Sequence, residues 1–142
     1  LAKPFTPFSL GEKVRSILTA RAGGRSILLV DDEAPVRQLF LEVLEEAGYR
    51  VREAPEGKTA MEMMEKEAAD LMITDLVMPE REGIETIIDV RKRFQSAKII
   101  AISGAFGGRY LHLAKMLGAQ QVLQKPVRPP ELLAAVRDVL AG

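Results

Sequence analysis

The chain predicts an α/β fold in which a parallel sheet is covered by helices on both faces. Two patterns carry that expectation. From Ser26 onward, five short apolar runs alternate with five longer segments of helical period, the rhythm of repeated strand–crossover–strand units. The runs are mostly apolar throughout instead of alternating, as strands buried on both faces are.

Taken in order, the strands are "SILLV" (26–30), "RVREA" (50–54), "DLMIT" (70–74), "KIIAIS" (98–103) and "QVLQ" (121–124). Between them, Val36, Leu39, Phe40, Val43 and Leu44 follow the i, i+3, i+4, i+7, i+8 stripe of an amphipathic helix, which Gly48 closes. Ala60, Met61 and Met64 mark a second helix, and Ile84, Ile87 and Ile88 a third. Tyr110, Leu113, Ala114 and Leu117 mark a fourth, ended by Gly118, and Leu132, Leu133, Val136 and Leu140 line the last. Residues 19–25, "TARAGGR", have no periodicity and read as a linker.

At 142 residues the chain has the length of one domain. A hydrophobic content of 47% with 28% charge is ordinary for a soluble globular protein. Twenty acidic side chains balance twenty basic ones, so no global field draws it to nucleic acid or to anionic lipid. The absence of cysteine excludes disulfides, thiol nucleophiles and thiolate metal sites. No apolar run reaches membrane-spanning length and no signal pattern opens the chain, so a cytoplasmic setting without membrane contact is expected.

In a parallel sheet of this kind, ligands bind beyond the carboxyl ends of the strands. The first strand runs into Asp31-Asp32 and the third into Asp75. If those strands are neighbours, three carboxylates converge, and such a cluster repels itself unless it is protonated or bridged by a cation. Oxygen donors without Cys or a nearby His suit a hard ion such as Mg²⁺. Singly, each aspartate has a plainer role as a helix cap or turn residue; together those roles leave the repulsion unexplained. The fourth strand ends in Ser103, with Gly104 and Ala105 leaving room for an anionic oxygen, and the fifth ends in Lys125-Pro126, where a lysine supplies a point charge for a phosphoryl or carboxylate group.

"ILLVDDE", "LMITDLVMPEREG", "AISG" and "LQKPV", in this order and spacing, resemble the receiver domain of two-component response regulators over Ser26 to Gly142. The resemblance implies a flavodoxin-like, doubly wound five-stranded sheet of order 2-1-3-4-5 with five helices on its two faces. It implies that Asp75 accepts the phosphoryl group and that Asp32 and Asp75 ligate Mg²⁺ with the backbone carbonyl of Val77, Asp31 acting through a metal-bound water. Ser103 would be the switch hydroxyl, Lys125 the phosphate-pairing lysine, and Lys125-Pro126 a cis peptide. The partner implied is a histidine kinase or histidine phosphotransfer domain, and the activity a phosphoryl-accepting switch, not a turnover enzyme.

The sequence departs from that family in places. Val122 stands three residues before the lysine, where an aromatic ring is frequent, so signalling by rotation of a ring has no residue to use here. Val77 and Ala105 are apolar where the family tunes acyl-phosphate lifetime, and neither can orient a water by hydrogen bonding. His112, the one histidine, reads as a partly exposed helical residue. Glu80 and Glu82 are expected to add to an acidic mouth or to favour the following helix N-terminus, and not to catalyse. The alternative function is a receiver-like interaction module that is not phosphorylated.

The opening of the chain repeats its end. "LAKPFTPFSLGEKVRSIL" (1–18) and "LQKPVRPPELLAAVRDVL" (123–140) agree at eight of eighteen positions without a gap, including Lys3/Lys125 and Pro4/Pro126. Residues 1–18 therefore read as the Lys-Pro turn and last helix of an upstream receiver, 19–25 as a linker and 26–142 as a receiver, an order that resembles the ends of hybrid sensor kinases. Leu10, Val14, Ile17 and Leu18 would form an apolar stripe without its own sheet, for which pairing of two copies through their last helices is one outlet.

Overall fold

The computed structural model describes residues 24–76, 82–104 and 107–141, with the side chains of 82–83 and 107–111 outside that description. The readings placed on residues 1–18, most of the linker, Val77, Glu80, Ala105 and the side chains of Glu82 and Tyr110 lie outside the described residues.

Strands β1 (Ser26–Val30), β2 (Arg50–Ala54), β3 (Leu71–Asp75), β4 (Lys98–Ser103) and β5 (Gln121–Gln124) alternate with helices α1 (Ala34–Glu46), α2 (Gly57–Lys66), α3 (Glu82–Arg93), α4 (Gly107–Met116) and α5 (Pro129–Ala141). All pairings are parallel and the sheet order is β2-β1-β3-β4-β5. The chain steps outward from β1 to β2, then returns past β1 to β3, so the order reverses beside β1 and β3. Their carboxyl ends are thus adjacent at the place where an open parallel sheet leaves its ligand crevice.

Because side chains alternate across a strand, the central strands feed two apolar layers. Ile27, Leu29, Leu71, Ile73, Ile100 and Ile102 face α1 and α5, meeting Phe40, Leu44, Leu132 and Val136. Leu28, Val30, Met72, Ile99 and Ala101 face α2, α3 and α4, meeting Ala60, Met64, Ile87, Val90 and Ala114. β1 and β3 are buried along their whole length, which fixes the height of the residues that follow them.

Three details differ from the sequence reading. β3 runs one residue later than 70–74, so Asp75 is its last ladder residue, paired with Ile102, while Asp70 stays outside and accepts the Ser26 N–H. Leu39 and Leu113, both assigned to core stripes, are 48% and 38% exposed. A helix flanking a sheet buries only an arc of its circumference, and that arc centres on Phe40 and Leu44 in α1, with Leu41 also packed inward, and on Ala114 in α4. Finally, β2 and β5 are only half-buried, since each is an edge strand.

Candidate functional site

The carboxyl ends of β1, β3 and β5 bring Asp31, Asp32, Asp75 and Lys125 together. Carboxylate oxygens of the three aspartates all lie within 4.8 Å of one another. Asp31 and Asp75 are 3% and 2% exposed, whereas Asp32 faces solvent. Neither Asp31 nor Asp32 caps α1. The N-cap is Glu33, and Asp31 Oδ1 accepts the Glu33 N–H at 2.8 Å, folding the β1–α1 turn back on itself.

Lys125 reaches into this cluster from β5. Its Nζ donates to Asp75 Oδ2 at 2.8 Å and lies 3.4 Å from Glu33 Oε1 and 3.7 Å from Asp31 Oδ2. Its path depends on Gly104. A Cβ there would stand 3.1 Å from Lys125 Cβ and 3.3 Å from Cδ, tighter than ordinary contact. The space that the sequence reading gave to an incoming anion is therefore lined by the lysine stem. The Lys125 N–H donates to the Ser103 carbonyl at 2.9 Å, and the following Lys125–Pro126 peptide is cis. Ser103 itself, at the end of β4 beside β3, is fully buried.

The electrostatics show an unbalanced centre. Burial pushes the Asp31 carboxyl up to about 6, and the charges of Asp75 and Glu33 push the same way against the Glu33 N–H and Lys125. Burial works against the Lys125 ammonium as well, but the hydrogen bond and charge of Asp75, with Asp31 and Glu33, hold its pKa above the ordinary lysine value. One lysine does not discharge this cluster. An all-oxygen set of closely spaced carboxylates, with the Asp31 carboxyl pushed up by burial, fits a hard divalent cation, which would relieve the repulsion that the lysine leaves.

Two residues of this site were missed in the sequence. Arg37, one turn into α1, donates from Nη1 to the Asp31 carbonyl at 2.6 Å and from Nε to Glu53 Oε1 at 2.8 Å, tying the ends of β1 and β2 together behind the carboxylates. Its position four residues after Glu33 was the available signal, but Glu53 is distant in sequence. Glu33 follows Asp31-Asp32 directly, and nothing in the sequence sets it apart from other surface charges. His112 is exposed on α4, remote in chain order from any of these groups. Val122 packs its small side chain against the α2–α4 apolar layer. Among the described residues, no helix is long and apolar enough to cross a membrane.

The comparisons agree with this geometry. Residues 27–137 match the family model described as the response regulator receiver domain. The chain is 34% identical over 118 residues to a chemotaxis protein CheY of Halobacterium salinarum, covering 83% of this chain and 98% of that one. It is 31% identical over 136 residues to the sensor kinase CckA of Brucella abortus, covering 94% of this chain but only 14% of the kinase. Among solved structures, a CheY-like response regulator receiver domain protein from Methanospirillum hungatei superposes with a TM-score of 0.79 at 27% identity, over 84% of this chain and 95% of that one.

Proposed function

Since the chain belongs to the response regulator receiver domain family of two-component signalling, we propose that Asp75 is its phospho-accepting residue, served by Lys125, Ser103 and a divalent cation. The observation that carries this is the position of Asp75: the last ladder residue of a central strand, buried, and donated to by Lys125 at 2.8 Å. An Asp75 oxygen attacks phosphorus as the donor's N–P bond breaks, and the imidazole of the donor histidine leaves and takes up a proton. The charge that spreads over the equatorial oxygens needs compensation, and Lys125 is placed to give it by moving its ammonium from Asp75 Oδ2 to a phosphoryl oxygen. Asp32 and Asp75 would hold Mg²⁺ directly, with Asp31 behind a water; when bound, the ion supplies a second centre of positive charge for the transferring group.

The product is an acyl phosphate, which adds negative charge above Asp75. Ser103 lies fully buried at the end of β4, beside β3, and a reorganisation of the segment after β4 that brings its hydroxyl to that charge couples phosphorylation to α4 and β5. With Val122 in β5, the readout is a shift of backbone and packing and not the swing of a ring. The donor is a histidine kinase or histidine phosphotransfer domain.

Residues 1–18 fit the closing unit of an upstream receiver. The similarity to a sensor kinase covers 94% of this chain, more than residues 26–142 alone can supply, and this supports a place in a hybrid kinase. Association through the last helices follows if that segment lacks its own sheet, and sedimentation of the chain with and without residues 1–18 tests it.

The decisive experiment is intact-mass analysis after incubation with Mg²⁺ and acetyl phosphate, beside Asp75→Asn. The expected outcome is one labile phosphate on the parent and none on the variant. Equal labelling of both would place the acceptor elsewhere, and a well-folded, Mg²⁺-binding parent that takes no phosphate even from a phosphohistidine donor would leave the interaction-module reading.

A further inference from the structure

Two helices of this fold begin with a glutamate at the N-cap, and the two side chains are used differently. At α2, Glu56 does what an N-cap side chain does: its Oε1 accepts the Thr59 N–H at 3.2 Å, satisfying a donor of the first turn. At α1, Glu33 makes no capping hydrogen bond. Its carboxylate turns away from the helix and lies 3.4 Å from Lys125 Nζ, across 92 residues of sequence, although the side chain is 60% exposed and has solvent available to it. The first turn of α1 thus gives up its side-chain cap, worth about 1 kcal/mol in other helices, and Glu33 is spent on the lysine.

We infer that Glu33 is a positioning residue for phosphoryl transfer: a latch that holds the Lys125 ammonium down among the carboxylates and must release it before the lysine can pair with an incoming phosphoryl group. The inference rests on Asp75 being the acceptor and goes beyond it by naming what the donor has to compete with. Lys125 sits among three carboxylate partners, Asp75, Glu33 and Asp31. Asp75 must keep an oxygen free to attack, and Asp31 is buried at the back of the site. Glu33 stands on the solvent side, where a donor arrives. It therefore acts twice on an anionic donor, by occupying the cation that would receive it and by presenting a negative charge at the entrance.

A small dianion such as acetyl phosphate meets this barrier without help. A protein donor that brings its own cationic surface can draw Glu33 off Lys125 during docking, so the latch favours protein donors over small-molecule ones. The size of the effect is that of a half-exposed ion pair, about a three-fold change in rate at low salt, shrinking as salt screens it.

The test measures the rate of phosphate gain from acetyl phosphate with saturating Mg²⁺, at low and at about 1 M salt, for the parent, Glu33→Gln and Glu33→Asp, with Mg²⁺ affinity and thermal midpoint recorded for each. Gln keeps the shape and loses the charge; Asp keeps the charge and loses the reach. Glu33→Gln should gain phosphate about three times faster than the parent at low salt, and Glu33→Asp, which keeps the entrance charge, by a smaller factor above the parent, with both differences narrowing at high salt and no loss of thermal midpoint in Glu33→Asp. Equal rates for parent and Glu33→Gln overturn the latch while leaving Asp75 as acceptor. A Glu33→Asp rate equal to the parent's also overturns it, since a diffuse field and not contact with Lys125 would then be at work. Failure of all three chains to take phosphate from acetyl phosphate overturns the latch, and failure with a phosphohistidine donor as well overturns the Asp75 reading with it.

Discussion

At the amino end of the sheet, Asp70 Oδ2 accepts the Ser26 N–H at 2.8 Å and Gln120 Oε1 accepts the Ile99 N–H at 2.7 Å, so these two backbone donors near the starts of β1 and β4 are each met by one side chain. At the carboxyl end, Asp31, Asp75 and Glu33 converge on one lysine, and burial with mutual repulsion lifts the Asp31 carboxyl to about 6. The same backbone ladder carries both ends. One end is closed by one-to-one hydrogen bonds that add stability; the other holds more like charge than it can neutralise. On the proposed function that excess serves cation binding: the cation relieves it and then compensates the negative charge that the phosphoryl group brings.

Substitutions at the carboxyl end should therefore move stability in either direction, and those at the amino end only downward. The largest effect is expected from Lys125→Ala, which leaves Asp31 and Asp75 facing each other without a cation. Without Mg²⁺ it should cost about 2 kcal/mol, less than a fully buried pair because the lysine is partly exposed. Most of that loss should return on adding Mg²⁺, and urea denaturation with and without the ion measures both numbers. A loss that Mg²⁺ does not restore would mean that Lys125 acts through its packed stem over Gly104 and not through charge.

Asp31→Asn should do the opposite. The folded pKa of Asp31 lies above its unfolded value of 3.8, so between about pH 4 and 6 the folded chain binds more protons than the unfolded one. Stability then falls as pH rises through that window. At pH 8 without Mg²⁺, the asparagine should stabilise the fold by about 1–2 kcal/mol, keeping the bond from the Glu33 N–H. At pH 4 the gain should vanish. In the parent, apparent Mg²⁺ affinity should rise as pH climbs through 6 and the proton leaves; calorimetric titration at pH 5 and 7.5 checks this.

Asp70→Ala, at the quiet end, should cost about 1 kcal/mol at neutral pH by freeing the Ser26 N–H, with no change in Mg²⁺ affinity. The smallest effect is expected from Gln120→Ala, about 0.5–1 kcal/mol, since the Gln120 N–H still donates to the Ile99 carbonyl at 2.8 Å. If either change altered Mg²⁺ binding, the two ends would be coupled through the sheet and not independent.

Much of this arrangement is legible in order along the chain. Apolar runs such as "SILLV" and "KIIAIS" correspond residue for residue to β1 and β4, because burial on both faces confines polar side chains to the strand ends. Where only one side is buried the pattern is less certain, and Leu39 and Leu113 were assigned inward although both face solvent. Their helices show more apolar residues than the buried arc needs, and sequence does not say where that arc is centred. The aspartates, Ser103 and Lys125 were legible because each ends a strand. Glu33 and Arg37 were not, since each is an ordinary surface charge until its distant partner is known.

By itself, the sequence determined the alternation of strands and helices, the parallel sheet and the set of polar residues delivered to its carboxyl edge, for these follow from local periodicity and from the places where it breaks. Only the tertiary structure decided that β1 and β3 are neighbours at the height where Asp31 and Asp75 repel, that Lys125 crosses Gly104 to Asp75 fifty residues away, and that Glu33 leaves its helix for that lysine. Electrostatic energy depends on separation in space, and the separations that matter here are set by the sheet order and not by spacing along the chain.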